Sequence, residues 1–209
     1  HDDVVDNAPT RRGVNATAVD YGNRVSVLAG DYLFAWIFKN VTAQFPAPIP
    51  HILSSTLAAI CDGEVLQLRG LGDVDFPFEE YVEVARKKTA SLFSASAECG
   101  AIGADGTAEQ VAALRDFGDR YGVAFQMHDD LLDMTADEHS LGKPVGNDLE
   151  ERKMTVPVSL ALRRGDAGFR AELAGFFRGG VPVATMVERI GAQGAFDDTR
   201  ACIAEYSEG

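Results

Sequence analysis

No run of 18 or so apolar residues occurs in the chain, and its longest greasy stretch, Val25 to Phe38, is broken by Gly30 and Asp31, so no membrane-crossing helix is expected. Positive charge is scarce as well. Lysine and arginine number 19 against 32 aspartates and glutamates, a net charge of −13, which excludes nucleic acid as the expected partner because a phosphate backbone is gripped by clustered Lys and Arg. Cysteine is limited to Cys61, Cys99 and Cys202, odd in number and without a Cys-x-x-Cys pair. That excludes a disulfide framework or a zinc ribbon and fits a reducing, cytoplasmic setting. Alternating strand patterns are missing too, and composition does not shift along the chain. With 46% hydrophobic residues, the expectation is one soluble, all-α domain over residues 1–209, built as an antiparallel helical bundle around a central cavity.

What the chain does have is a repeated acidic phrase. Residues 1–6 read His-Asp-Asp-Val-Val-Asp and residues 128–133 read His-Asp-Asp-Leu-Leu-Asp. In a helix Gln126, Asp129, Asp130 and Asp133 fall at i, i+3, i+4 and i+7 and share a face. Two carboxylates about 5.5 Å apart there repel by roughly 3 kcal/mol at an effective dielectric near 20. Something must offset that repulsion. A stripe of Val111, Leu114, Phe117, Tyr121, Phe125, His128, Leu131 and Leu132 reads as the opposing, core-facing side, which points the acidic face into a cleft or solvent. One such hexapeptide is ordinarily a solvated surface; two, each followed by basic residues, suit Mg2+, which keeps several waters, takes one or two protein carboxylates and fills its shell with phosphate oxygens. The pattern therefore predicts two Mg2+-binding clusters, Asp2, Asp3 and Asp6 with Asp129, Asp130 and Asp133, clamping a phosphorylated substrate.

Basic residues fall beside these clusters. Arg11 and Arg12 directly follow the first motif, and guanidinium forks match phosphate oxygens. A helix is expected over 20–41, apolar around much of its circumference and so buried on two sides, against a second subunit or as a central core helix. After a proline-rich connector through Pro50, another runs from His51 to Arg69, where Glu64 and Gln67 share a face as polar groups behind a site or as plain surface. Pro77 opens a helix to about Gly100 carrying Lys88 and Thr89 and a run of small residues that permit close helix approach or leave room for a ligand. Thr107 and Gln110 form a capping box for the helix bearing the second motif. The 142–157 segment, with Lys143, Asp148 and Lys153, reads as a lid or phosphate-holding loop.

Taken in order, these residues resemble the trans-isoprenyl diphosphate synthases, or polyprenyl synthetases. The resemblance is carried by both Asp-Asp-x-x-Asp motifs, Arg11-Arg12, Gly30-Asp31-Tyr32-Leu33, Gly63-Glu64-Val65-Leu66-Gln67-Leu68, Lys88-Thr89, Phe125-Gln126, and Gly142-Lys143-Pro144 through Lys153-x-Thr155-x-Pro157. It implies head-to-tail condensation of isopentenyl diphosphate with an allylic diphosphate. Several Mg2+ ions would be held by Asp2, Asp6 and Asp129, with Asp3, Asp130 and Asp133 as further or supporting ligands. Lys88, Lys143, Lys153 and Arg11 would hold the allylic diphosphate and Arg12 the isopentenyl one, while Thr89 and Gln126 would stabilise the allylic cation. A homodimer is implied, as is an upstream Gly-Gly-Lys-x-x-Arg-Pro segment that these residues lack. Two other readings of the same residues are a regulatory partner subunit of such a synthase and a class I terpene cyclase, which shares the fold and the first motif.

Overall fold

The structure, a computed structural model, describes residues 1–6 (apart from the Asp2 side chain), 8–11, 13–136 and 145–208. It is helical almost throughout, as the missing strand signal predicts. The exception is an antiparallel pair of two-residue strands, β1 (Thr10–Arg11) and β2 (Val14–Asn15), with Thr10 opposite Asn15. Gly13 supplies the positive φ of 79° their turn needs.

Two compact units divide the chain, residues 1–51 and 52–209. The first holds α1 (Asp2–Val5), α2 (Thr17–Tyr21) and α3 (Asn23–Gln44). Gly22, at φ 80°, breaks the chain between α2 and α3. Of the two expected ways of burying this helix, the described chain does not supply the central core. Ser26 is the buried residue of α3, while Leu28, Tyr32, Leu33 and Trp36 are each more than half exposed; an apolar circumference reports what a helix would bury, not whether the described chain covers it.

α4 (Pro48–Arg69) begins earlier than its sequence suggests. Proline is tolerated in a first helical turn, whose N–H groups have no intrahelical partner, so the proline-rich connector is partly helix. In the second unit α5 (Phe78–Ala85) passes into a π-helical turn, Arg86–Ala90, and then α6 (Ser91–Gly103). The long α7 (Ala108–Thr135) starts at the expected capping box, with Gln110 N donating to Thr107 Oγ1 and Thr107 N to Gln110 Oε1, a feature worth about 1 kcal/mol. α8 (Asn147–Glu150), α9 (Val156–Arg164), α10 (Ala167–Phe176), α11 (Val183–Ala192) and α12 (Ala195–Glu208) complete it.

The core of this unit joins Val123, Met127 and Met134 of α7 to Val156, Val158 and Ala161 of α9, Leu173 of α10 and Met186 and Ile190 of α11. Each large side chain fully buried there contributes about 1.5–3 kcal/mol. α9 is buried on every side from Val156 to Leu162, as a helix apolar all round must be. α6 and α7 meet through glycine. A Cβ on Gly118 would stand 2.6 Å from Ser94 Cα, and one on Gly122 would fall onto Ala90 Cα. The backbones touch where those residues have no side chains.

Candidate active site

Close packing through Gly118 and Gly122 decides how α7 is turned, and it overturns the expected division of its faces. Asp130 and Asp133 are buried, at 3% and 1% exposure, whereas Leu114, Phe117, Tyr121 and Phe125, read as core, are exposed. Asp129 alone of the three carboxylates faces outward. Side-chain periodicity missed this because the face that packs most tightly is built from glycine, which carries no hydrophobic signal.

The buried carboxylates are offset by backbone donors. Val156 N, at the first residue of α9, donates to Asp130 Oδ2 at 3.2 Å, and Asp148 N, in α8, donates to Asp133 Oδ2 at 3.1 Å. Both are N–H groups that lack a partner within their own helix, so the motif's second and third aspartates serve as caps for the helices that follow. The Asp133 backbone oxygen also accepts from Gly146 N, which holds the positive φ of 77° just before α8. Asp130 in addition accepts from Gln126 Nε2 at 2.8 Å. Burial pushes its carboxyl pKa up to about 7, helped by the nearby charge of Asp148 and opposed by the hydrogen bonds it accepts.

Gln126 links this group to the π-helical turn. Thr89 Oγ1 donates to Gln126 Oε1 at 2.6 Å, so the amide is pinned at both ends. Lys88, one residue earlier in the turn, places its ammonium 2.9 Å from Glu64 Oε1 and 2.9 Å from Gln67 Oε1. Both acceptors sit on α4, whose approach depends on Gly63: a Cβ there would lie 2.9 Å from Lys88 N. Glu64 and Gln67 are not plain surface: both hold the Lys88 ammonium. A π turn of this kind shifts side-chain register within an otherwise continuous helix and recurs at functional sites.

Lys153 is held by Asp148 Oδ1 at 3.1 Å and Glu151 Oε2 at 2.6 Å. Burial works against its charge, but Asp148 and Glu151 outweigh it and raise its pKa. In the first unit Arg11 Nε pairs with Asp3 Oδ1 at 3.2 Å, Asp6 is exposed, and His1 Nε2 lies 3.0 Å from Asp31 Oδ1. Arg12, Lys143 and the side chain of Asp2 lie outside the described residues. Asp148, which sequence reasoning noted only as one charge in a loop, proves to tie Asp133 to Lys153; its signal is an acidic residue at the start of a short helix.

Among the described residues no three His, Cys, Asp or Glu side chains form a ready-made metal cage. The donor set nonetheless fits Mg2+ better than a softer ion: hard carboxylate oxygens, few per site, with Asp129 facing outward while its neighbours are spent on the fold. A model of the polyprenyl synthetase family matches residues 1–181. The chain belongs to the polyprenyl synthetase family. It is 42% identical over 165 residues to the octaprenyl diphosphate synthase of Escherichia coli (strain K12), a match covering 79% of this chain and 51% of that protein. A decaprenyl diphosphate synthase from Rhodobacter capsulatus superposes with a TM-score of 0.92 at 37% identity, over 100% of this chain and 65% of that one. A polyprenyl synthase from Caulobacter crescentus CB15, complexed with calcium and isoprenyl diphosphate, gives 0.89 at 37% identity, again over 100% and 65%. The chain thus spans about half the length of the curated relatives it matches, and its all-α architecture is that of this family's solved members.

Proposed function

We propose that the protein is a prenyl chain-elongating transferase, condensing isopentenyl diphosphate head-to-tail with an allylic diphosphate to give a longer trans-polyprenyl diphosphate. The observation that carries this reading is the hydrogen-bonded run Thr89–Gln126–Asp130 on the helix of Asp129. It joins two neutral side-chain oxygens to the residue next to the outward Asp129, an arrangement that suits ionisation of an allylic diphosphate.

Asp129, with Asp2 and Asp6 of the first motif, would hold Mg2+ together with the substrate's diphosphate. When bound, Mg2+ supplies the positive charge that stabilises diphosphate as the carbon–oxygen bond breaks. Lys88, whose ammonium is held by both Glu64 carboxylate oxygens and by Gln67 Oε1, would turn a hydrogen to a phosphate oxygen once the diphosphate is bound. Lys153 remains charged through Asp148 and Glu151, and with Arg11 and Lys143 it grips the same diphosphate; Arg12 serves isopentenyl diphosphate. Thr89 and Gln126 direct oxygen dipoles at the allylic cation and exclude water as nucleophile. The isopentenyl double bond then attacks, and the proton lost from the adduct passes to the departing diphosphate. Asp3, Asp130 and Asp133 support the ligands through their contacts within the fold.

The exposed apolar residues of α3 support a homodimer buried along that helix. No described helix is long and apolar enough to cross a membrane, and a cytoplasmic enzyme acting on charged substrates is the reading that goes with it. Incubating the complete protein with labelled isopentenyl diphosphate and dimethylallyl, geranyl, farnesyl or geranylgeranyl diphosphate, with and without Mg2+, tests the proposal. Linear, longer diphosphates formed only with Mg2+ are the expected outcome. Consumption of a primer without isopentenyl incorporation would point to a cyclase, and no reaction until a second chain is added would point to a partner subunit.

A further inference from the structure

Three features of the first unit converge on one imidazole. His1 stacks on Phe34 of α3, with ring centroids 5.6 Å apart and planes within 14° of parallel. Its Nε2 lies 3.0 Å from Asp31 Oδ1. Gly30 completes the seat: a Cβ there would stand 2.7 Å from His1 Cε1 and 2.8 Å from Nδ1, so the ring rests on helix backbone that a side chain would cover. Gly30, Asp31 and Phe34 fall at i, i+1 and i+4 of α3, and the Gly30-Asp31 pair has no role in the proposed chemistry. Asp31 is largely exposed, so its contact with the ring holds little by itself. Stacking and the glycine seat supply the rest.

His1 directly precedes the first motif, and its backbone oxygen accepts from Val4 N at 3.0 Å and Val5 N at 3.1 Å. The seated ring is thereby joined to the first turn of α1 through the backbone of one residue. In the second copy of the phrase the equivalent His128 is exposed, and the long α7 is fixed by its close packing at Gly118 and Gly122. The first copy has a four-residue helix to carry its carboxylates, and a single turn does not hold its own direction.

We propose that His1 is a positioning residue: seated on Gly30, Asp31 and Phe34, it fixes α1 against α3 and so sets where the first motif presents its carboxylates to Mg2+. This inference rests on the reading of that motif as a Mg2+-binding cluster.

Calorimetric titration of Mg2+ into the complete protein, with an unreactive allylic diphosphate analogue present, tests it. His1→Ala should weaken Mg2+ binding about tenfold, the usual cost of losing a group that orients metal ligands. Gly30→Ala is the sharper variant. Alanine favours helix over glycine, so α3 keeps its fold, while the new methyl displaces the imidazole and should give the same loss without lowering the urea unfolding midpoint. Combining the two should add nothing further, since both act through one ring. The His1 ring-proton resonances of metal-free protein supply a readout independent of metal, assigned among the four histidines by their absence from His1→Ala. They should lie upfield under the Phe34 face in wild type and move to the position of a solvated histidine in Gly30→Ala. Undiminished Mg2+ binding in either variant, additive losses, a lowered midpoint in Gly30→Ala, or unshifted His1 signals in wild type would overturn the proposal. If wild type itself binds no Mg2+ with the analogue, the reading of the first motif as a metal cluster falls and the positioning role falls with it.

Discussion

The same six-residue phrase occurs twice and is used in two different ways. At residues 1–6 it lies on a one-turn helix, and Asp3 meets Arg11 in a pair whose side chains are largely exposed on the Arg11 side. At 128–133 it lies well inside a helix running from Ala108 to Thr135, where Asp130 and Asp133 are buried and bound to backbone N–H groups of the next two helices. Carboxylates that would repel in water are stabilised in the second copy by donors with no other partner. Only Asp129 is left facing outward. The lesson is that a motif names the chemistry available, while the surrounding helices decide which of its groups hold the fold and which remain for a ligand.

That contrast can be broken. Asp129→Ala should lower turnover about a thousandfold or more while leaving helicity intact, because its contribution appears in the transition state; steady-state rates with circular dichroism on the same sample check it. Asp130 should instead govern stability. Its folded pKa is raised from 3.8 to about 7, so metal-free protein should lose stability as pH rises from about 4 through 7, by up to roughly 4 kcal/mol. Thermal melts across that range should slope downward in wild type and run flatter in Asp130→Asn. Gly122→Val would force the π-helical turn and α7 apart at Ala90, with an expected loss of about 2–3 kcal/mol measurable by urea unfolding. At the other copy, Asp3→Ala should cost less than about 1 kcal/mol and fade in high salt, as exposed pairs do.

Much of this arrangement was legible in the sequence. The helical class, the capping box at Thr107 and the acidic motifs follow from spacing and residue chemistry, whereas the roles of Lys88, Thr89 and Gln126 are implied only by the resemblance to the polyprenyl synthetases. The turn of α7 did not, because Gly118 and Gly122 pack by what they lack, and hydrophobic periodicity is blind to absence. Nor could the sequence show the π turn at Arg86–Ala90 or that Asp148 would join Asp133 to Lys153; both depend on contacts between residues far apart in the chain. The exposed apolar face of α3 obeys the same rule: composition sets what a surface prefers, and neighbours decide whether it is covered.

The most direct test of this division of labour is calorimetric titration of Mg2+ in the presence of an unreactive allylic diphosphate analogue. Wild type and Asp130→Asn should bind the Mg2+–diphosphate pair with affinities within about tenfold of one another, while Asp129→Asn should lose nearly all of it. Equal binding by Asp129→Asn and wild type, or a collapse in Asp130→Asn as deep as in Asp129→Asn, would contradict the assignment of one carboxylate to the metal and its neighbour to the fold.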